Sequence, residues 1–235
     1  ARRALCPRPG GSPSECGRVS RRVVAAASLR VYFVTDPDGP HSVEATVAAA
    51  LRGGATIVQL RDKMASDEDL GALATRLAPL CRAYHVPLVV NDRVAVAARA
   101  PVDGVHVGQA DAAASAARAR LGPNAIVGLS ATDAREAAAI DPTVVDYCGL
   151  GPVFFTATKS DATPPLGLDA FATARAACPV PVVAIGGITA DNAPSVVRSG
   201  ADGVAVVTEI SRAPDPAVAA TSLRAAVAQA IAGRG

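Results

Sequence analysis

The chain has 235 residues, half of them hydrophobic but only 3% aromatic, and a formal net charge of +2. That length allows one large domain or two small ones. The small net charge and the lack of any Lys/Arg run interleaved with aromatics exclude a nucleic-acid binder, and no apolar run reaches the ~18 residues that a membrane span needs.

Residues 1–27, with Pro7, Pro9, Gly10, Gly11, Pro13 and Gly17 among scattered arginines, have the composition of a disordered tail. This segment carries Arg2, Arg3 and Arg8 but no apolar stretch of the kind a secretory signal contains. From residue 28 to 235 a single rhythm is expected, in which short Val/Ile/Leu runs alternate with longer Ala-rich segments of helical period. The apolar runs fall at 30–35, 56–61, 88–91, 104–107, 126–129, 144–150, 182–185 and 203–207. Helices are predicted near 42–53, 67–84, 93–99, 112–121, 133–140, 168–177, 190–199 and 215–232. Ser66, Thr132 and Thr189 stand where N-caps belong, and Gly53-Gly54, Gly122 and Gly200 where a C′ glycine ends a helix. Eight β-then-α units in one stretch point to an α/β fold, a single (β/α)8 TIM barrel. A Rossmann sheet would want G-x-G-x-x-G after the first strand, where this chain reads Thr35-Asp36-Pro37-Asp38-Gly39.

In such a barrel the chemistry lies at the C-terminal ends of the strands. After the second run, alternation turns Gln59, Arg61 and Lys63 to one side, either as a convergent ligand site or as a surface basic pair. Asp92 and Asp111 follow the third and fourth runs. They could share one hard cation such as Mg²⁺ through single oxygens, or cap the helices that follow. Ser130 ends the fifth run, a common turn residue with little weight alone. The long polar loop after the sixth run, 149–161, has the length of a lid or binding loop. Its Thr156, Thr158 and Lys159 suit an anionic or heterocyclic ligand. Gly186-Gly187 and the turn at Val207-Thr208 form the phosphate cradle that many barrels carry after the last two strands, unless the glycines merely make a tight turn. His41, His85 and His106 are read as structural, with His106 packed in or near the barrel. The five cysteines, Cys6, Cys16, Cys81, Cys148 and Cys178, are odd in number and lack a C-x-x-C pair. Reduced thiols in a cytoplasmic protein are therefore expected, rather than a disulfide framework.

Taken together, the segments VYFVTD, GGATIVQLRDK, VPLVVNDRVAVA, DGVHVGQAD, GLSATD, YCGLGPVFFTATKSDATPPLGL, PVVAIGGITADN and SGADGVAVVTEI resemble the thiamine phosphate synthase family. Some pieces are loose, but QLR-x-K, ND, HVGQ-x-D and T-x-TK in that order are specific. The resemblance implies a Mg²⁺-dependent transferase of an alkyl group other than methyl. Such an enzyme joins an aminopyrimidine diphosphate to a thiazole phosphate and releases pyrophosphate. It further implies that Gln59 meets the aminopyrimidine and that Arg61, Lys63 and Asn91 bind the diphosphate. Asp92 and Asp111 would hold Mg²⁺, while Ser130 and Lys159 would touch the pyrophosphate. Thr156 and Thr158 would lie near the thiazole phosphate, gripped by main-chain donors at Gly187, Val207 and Thr208. Arg61, Lys63, Ser130 and Lys159 would thus act on the leaving group. The chain departs from the pattern mildly, with Asp62 where Glu is common, Phe155 where Pro is frequent and Thr132 where His is common. Two other readings are a thiazole tautomerase-like isomerase, which would use a His near the fifth strand, and a non-catalytic phosphate-binding barrel. The expected partners are small-molecule substrates, with no nucleic acid or membrane and with homo-oligomerisation left open.

Overall fold

The structure is a computed structural model. It describes residues 25–109, 111–156 and 164–234, with the side chains of Asp111 and Ala112 outside that description. The expected disordered tail therefore lies outside the described residues up to residue 24. Residues Ala26–Leu29 form a short 3-10 turn, whose Leu29 plugs the base of the barrel.

Eight parallel strands close into a barrel: β1 (Val31–Val34), β2 (Ile57–Leu60), β3 (Leu88–Asn91), β4 (Gly104–Val107), β5 (Ile126–Ala131), β6 (Tyr147–Leu150), β7 (Val182–Ile185) and β8 (Gly203–Val206). β8 pairs back onto β1 at Val31↔Val204. Every strand is buried on both faces, which is why the strands read as continuous Val/Ile/Leu runs rather than as alternating ones. Outward residues such as Phe33, Val58, Val90, Val105 and Leu150 meet the helices. Inward residues, among them Tyr32, Ile57, Val89, Ile126, Tyr147 and Val183, fill the lumen.

The helices among the described residues are α1 (Val43–Gly53), α2 (Asp67–Ala83), α3 (Val94–Ala97), α4 (Asp111–Leu121), α5 (Ala134–Ala138), α6 (Gly167–Ala177), α7 (Ala193–Arg198), α8 (Thr208–Ser211) and α9 (Pro216–Ala232). The expected cap at Ser66 is present, its hydroxyl accepting from the Asp69 N–H at 3.1 Å. The cap expected at Thr132 belongs instead to Asp133, which accepts from the Glu136 N–H at 2.8 Å. Thr132 donates to the Glu136 carboxylate through both its N–H and its hydroxyl. The helix expected from 190 begins only at Ala193, because Thr189 and Asn192 first close a turn on each other. The run expected from 144 starts as a strand only at Tyr147, since Val144 and Val145 turn back to the Asp141 carbonyl. The four-residue α8 has no counterpart among the helices that periodicity predicts.

A polar clasp recurs at the base. The residue before each even-numbered strand accepts an N–H from the start of the preceding odd-numbered strand. Val31 gives to Thr56 at 3.0 Å, Leu88 to Asp103 at 2.9 Å, Val127 to Asp146 at 2.7 Å and Val182 to Asp202 at 2.8 Å. Arg118 pairs with Asp146 at 2.6 Å and Arg175 with Asp202 at 3.1 Å. This is the face of the fold that serves stability rather than chemistry. At the opposite face Asp36, after β1, accepts from Ser211 and Arg212 after β8, each at 3.0 Å, and so ties the closing seam.

Cys81, Cys148 and Cys178 are buried free thiols, and burial pushes Cys81 up to about 12. Among the described residues no helix is long and apolar enough to cross a membrane.

Candidate active site

The C-terminal ends of the strands open into a cavity of about 340 Å³, within the range of small-ligand pockets. Gln59, Arg61, Asn91, His106, Gln109 and Ser130 line one arc of it. Thr156, Gly186, Gly187, Val207 and Thr208 line the other. The strand period of two brings Gln59, Arg61, Asn91, His106, Ser130, Gly187 and Val207 together, because each shares the inward parity of its strand, while Gln109, Thr156, Gly186 and Thr208 join them from beyond the strand ends.

Beneath the mouth a hydrogen-bonded chain crosses the lumen. Gln59 Nε2 donates to the Tyr32 hydroxyl at 2.7 Å, and the Tyr32 and Tyr147 hydroxyls meet at 2.7 Å. Tyr147 reaches His106 Nδ1 at 3.0 Å, and His106 Nε2 reaches Ser130 Oγ at 3.0 Å. Burial holds both phenols well above the usual tyrosine range, so both keep their protons. Space for the rings comes from glycine. A Cβ on Gly128 would lie 2.2 Å from Tyr147 Cζ and 2.5 Å from His106 Nδ1, and one on Gly149 would lie 3.0 Å from His106 Cε1.

The cationic arc is fixed through its backbone. The buried Thr35 hydroxyl donates to the Arg61 carbonyl at 3.1 Å and accepts the Arg61 N–H at 2.9 Å. Asp62 accepts from the N–H groups of Met64 and Ala65, and Arg93 pairs with Asp67 at 2.6 Å while donating to the Lys63 carbonyl at 3.3 Å. Lys63 itself is exposed and outside the cavity lining. Asp92, exposed beside Asn91, has φ 57°, a left-handed conformation uncommon for a residue with a Cβ. Its N–H donates to the His106 carbonyl at 2.8 Å, and among the described residues its carboxylate accepts only from Asn91 Nδ2, at 2.7 Å.

The opposite arc is backbone. Asn192 donates to the Gly187 carbonyl at 2.9 Å, and Glu209 accepts the Ala190 N–H at 2.9 Å, joining the loops after β7 and β8. The Gly187 N–H has no acceptor among the described residues, and Thr208, opening α8, brings a first-turn N–H that no helical carbonyl can meet. The segment after β6 lies against these glycines, with Val153 donating to the Ile185 carbonyl at 2.9 Å and Phe154 to the Gly186 carbonyl at 3.0 Å. The Gly151–Pro152 peptide there is cis. Glycine at 186 thus does more than let an oxygen approach. Its φ is 101°, and a Cβ there would stand only 2.5 Å from Pro152 Cβ, so glycine admits the β6 segment itself. Gly186→Ala is expected to cost about 1–3 kcal/mol from backbone strain alone, read as a lower melting temperature together with weaker binding of a phosphorylated ligand.

Of the residues predicted from sequence, Gln59, Arg61, Asn91, Ser130, Thr156, Gly187, Val207 and Thr208 meet at this one cavity. Asp92 sits at its edge next to Asn91, and Asp111 opens α4 with its side chain outside the described residues. Thr158, Lys159 and the end of the expected lid, residues 157–161, lie outside the described residues. Sequence reasoning missed Tyr32, Tyr147 and Thr35, and read His106 as structural without its link to Ser130. The parity that singled out Gln59 also turns Tyr32, His106 and Tyr147 inward and could have found them.

Comparison with known proteins gives a consistent result. The family model described as thiamine monophosphate synthase matches residues 31–210. A thiamine-phosphate synthase of Roseiflexus sp. (strain RS-1) is 44% identical over 203 residues, 86% of each chain. One of Xanthobacter autotrophicus is 47% identical over 201 residues, covering 85% of this chain and 95% of the relative. Among solved structures, a thiamine phosphate pyrophosphorylase from Pyrococcus furiosus superposes with a TM-score of 0.80 at 35% identity, covering 88% of this chain and 98% of that one.

Proposed function

The chain belongs to the thiamine monophosphate synthase family, and from that premise we propose how its barrel mouth divides the work of the reaction. The enzyme is a transferase. It couples 4-amino-2-methyl-5-hydroxymethylpyrimidine diphosphate with 4-methyl-5-(2-hydroxyethyl)thiazole phosphate to give thiamine phosphate and pyrophosphate. The curated relatives carry the synthase name, and neither the isomerase nor the ligand-binding reading is favoured.

One observation carries the assignment of sites: two anion-accepting arcs face each other across a single cavity. Gln59 takes the aminopyrimidine, Arg61, Lys63 and Asn91 the diphosphate, and Ser130 and Lys159 the departing pyrophosphate. The backbone donors of Gly187, Val207 and Thr208 hold the thiazole phosphate, with Thr156 and Thr158 beside it. The N–H groups suit this task because an anion needs donors and glycine lets it come close.

Magnesium fits the edge of this cavity on donor chemistry. Asp92 offers hard oxygen with no Lys or Arg paired to it among the described residues. Mg²⁺ commonly takes one or two carboxylates and completes its shell with waters and substrate phosphates. Asp92 and Asp111 would hold it, and when bound it would supply Lewis-acid neutralisation of the diphosphate oxygens.

In the reaction the C–O bond between the pyrimidine methylene and the diphosphate breaks, and the electron-rich ring stabilises the cation left behind. Arg61, its backbone already fixed by Thr35, meets the charge that develops on the leaving group as a preorganised donor, and Lys63 and Lys159 would add their charges to it. The phosphate anchor sets the thiazole nitrogen to attack that carbon, so positioning replaces a general base. The free thiols at Cys81, Cys148 and Cys178 support a cytoplasmic setting.

The test is to mix both substrates with MgCl₂ and follow pyrophosphate release, with the product identified by mass. Thiamine phosphate is expected, and activity should vanish in excess EDTA. Full turnover in EDTA would remove the metal from this reading, and no pyrophosphate release at all would remove the reading itself. Asp92→Ala is expected to raise the Mg²⁺ concentration for half-maximal rate by at least the roughly 10-fold that loss of an outer-shell partner costs, measured by titrating the metal.

A further inference from the structure

With the Gln59 amide nitrogen set against the Tyr32 hydroxyl, the contacts of the buried chain beneath the cavity order its protons in one direction. Gln59 meets Tyr32 through its amide nitrogen, which can only donate. Among the described residues the single Tyr32 proton then has one acceptor in reach, the Tyr147 oxygen at 2.7 Å. Both rings are fully enclosed, and no buried side-chain nitrogen or oxygen among the described residues goes without a partner. Leaving a phenol proton unmatched there would be costly. Tyr147, having accepted from Tyr32, must spend its own proton on His106 Nδ1. A ring that accepts at Nδ1 carries its proton on Nε2, which faces Ser130 Oγ at 3.0 Å. The Ser130 oxygen therefore accepts, and its hydroxyl proton is left for the cavity that Ser130 lines.

We infer that Tyr32 and Tyr147 are positioning residues, which impose the Nε2–H tautomer on His106 and thereby present Ser130 to the substrate as a hydrogen-bond donor. The inference rests on the proposed function, in which Ser130 faces the departing pyrophosphate. That anion only accepts, so a Ser130 turned to donate toward His106 would offer it a lone pair instead of a proton. The same ordering acts at the far end: with its nitrogen committed to Tyr32, Gln59 keeps its carbonyl oxygen as the acceptor for an amino group. One row of protons thus sets complementary polarity at the two ends of the pyrimidine substrate, though Tyr147 itself is outside the cavity lining.

The experiment is ¹⁵N NMR of the histidine-labelled enzyme, whose three histidines give few signals, together with steady-state kinetics on Tyr147→Phe and Tyr32→Phe. In the wild-type protein His106 is expected to be protonated at Nε2 and bare at Nδ1. Tyr147→Phe should give a mixture of tautomers and lower kcat by about 10-fold, the scale of one hydrogen bond to a charged group, with KM for the pyrimidine diphosphate little changed. Tyr32→Phe, which keeps Tyr147 against His106, should give the mixture with a smaller loss of kcat. A wild-type His106 protonated at Nδ1 or at both nitrogens overturns the inference. So does a fall in kcat with the tautomer unmoved, or variants that match the wild type in both measurements. Failure of the wild-type enzyme to release pyrophosphate would strike the functional reading instead, and the tautomer is read without substrate.

Discussion

Arg61→Ala is expected to lower kcat by about 10²–10³-fold, the loss seen when one preorganised donor to a developing oxyanion is removed. The thermal unfolding transition should stay where it is. The structure separates these effects because Arg61 is held by its backbone. Thr35 grips the Arg61 N–H and carbonyl, and alanine keeps both. What disappears is the guanidinium that lines the cavity, with Asn91 and Ser130 left on its wall beside the proposed Lys63 and Lys159. Arg61→Lys should recover only part of the rate, since a single ammonium cannot fork across two oxygens. Rates of pyrophosphate release at saturating substrates decide the matter. An alanine variant within a few-fold of wild type would mean that the leaving group is met elsewhere on the rim.

Asp146→Ala is expected to be the most damaging single change to stability, by about 3–5 kcal/mol, while leaving kcat almost unchanged at 25 °C. The Asp146 carboxylate accepts the Val127 N–H at 2.7 Å and the Arg118 guanidinium at 2.6 Å, with side chains only 2% and 13% exposed. Arg118 is meanwhile tied to the carbonyls of Val144, Gly122 and Ala125, so it cannot swing into solvent when its partner goes. The uncompensated charge stays buried, which is the costly case. In a domain of this size such a loss lowers the melting temperature by roughly 6–20 °C, and calorimetry will show it. The exposed pair Arg76–Glu44, at 2.9 Å with 58% and 37% exposure, is the control, because pairs of that kind contribute about 0–1 kcal/mol. Equal effects at the two pairs would refute the role given to the clasp.

The strand count and most of the mouth were legible because both depend on short-range pattern. A strand covered on both faces must be a run of apolar residues, and a period of two then decides which polar residue at its end looks inward. The same logic fails for α8. It spans only four residues, too few turns for an apolar stripe to declare itself, and no helix is expected there, whereas α3 and α5 fall inside the helices expected at 93–99 and 133–140. At Thr132-Asp133 two residues able to cap stand side by side, and only the Glu136 N–H, which bonds to Asp133, settles which one does. The base clasps were out of reach for another reason. Their partners lie 15 to 25 residues apart, and an Asp before a strand looks like any loop Asp until the neighbouring strand is beside it. The Tyr32–Tyr147 contact, 115 residues apart in the chain, is hidden in the same way, although each tyrosine's inward orientation was not.

The base clasps also say where this ring can be cut. Each one joins an odd-numbered strand to the next even-numbered one and never an even-numbered strand to the odd-numbered one after it, so the barrel is tiled by four two-strand modules. Circular permutation with new ends at residues 84–87, between β2 and β3, leaves all four modules whole. Ends opened at residues 54–56 would split the first module and strip the Val31 N–H of its Thr56 partner.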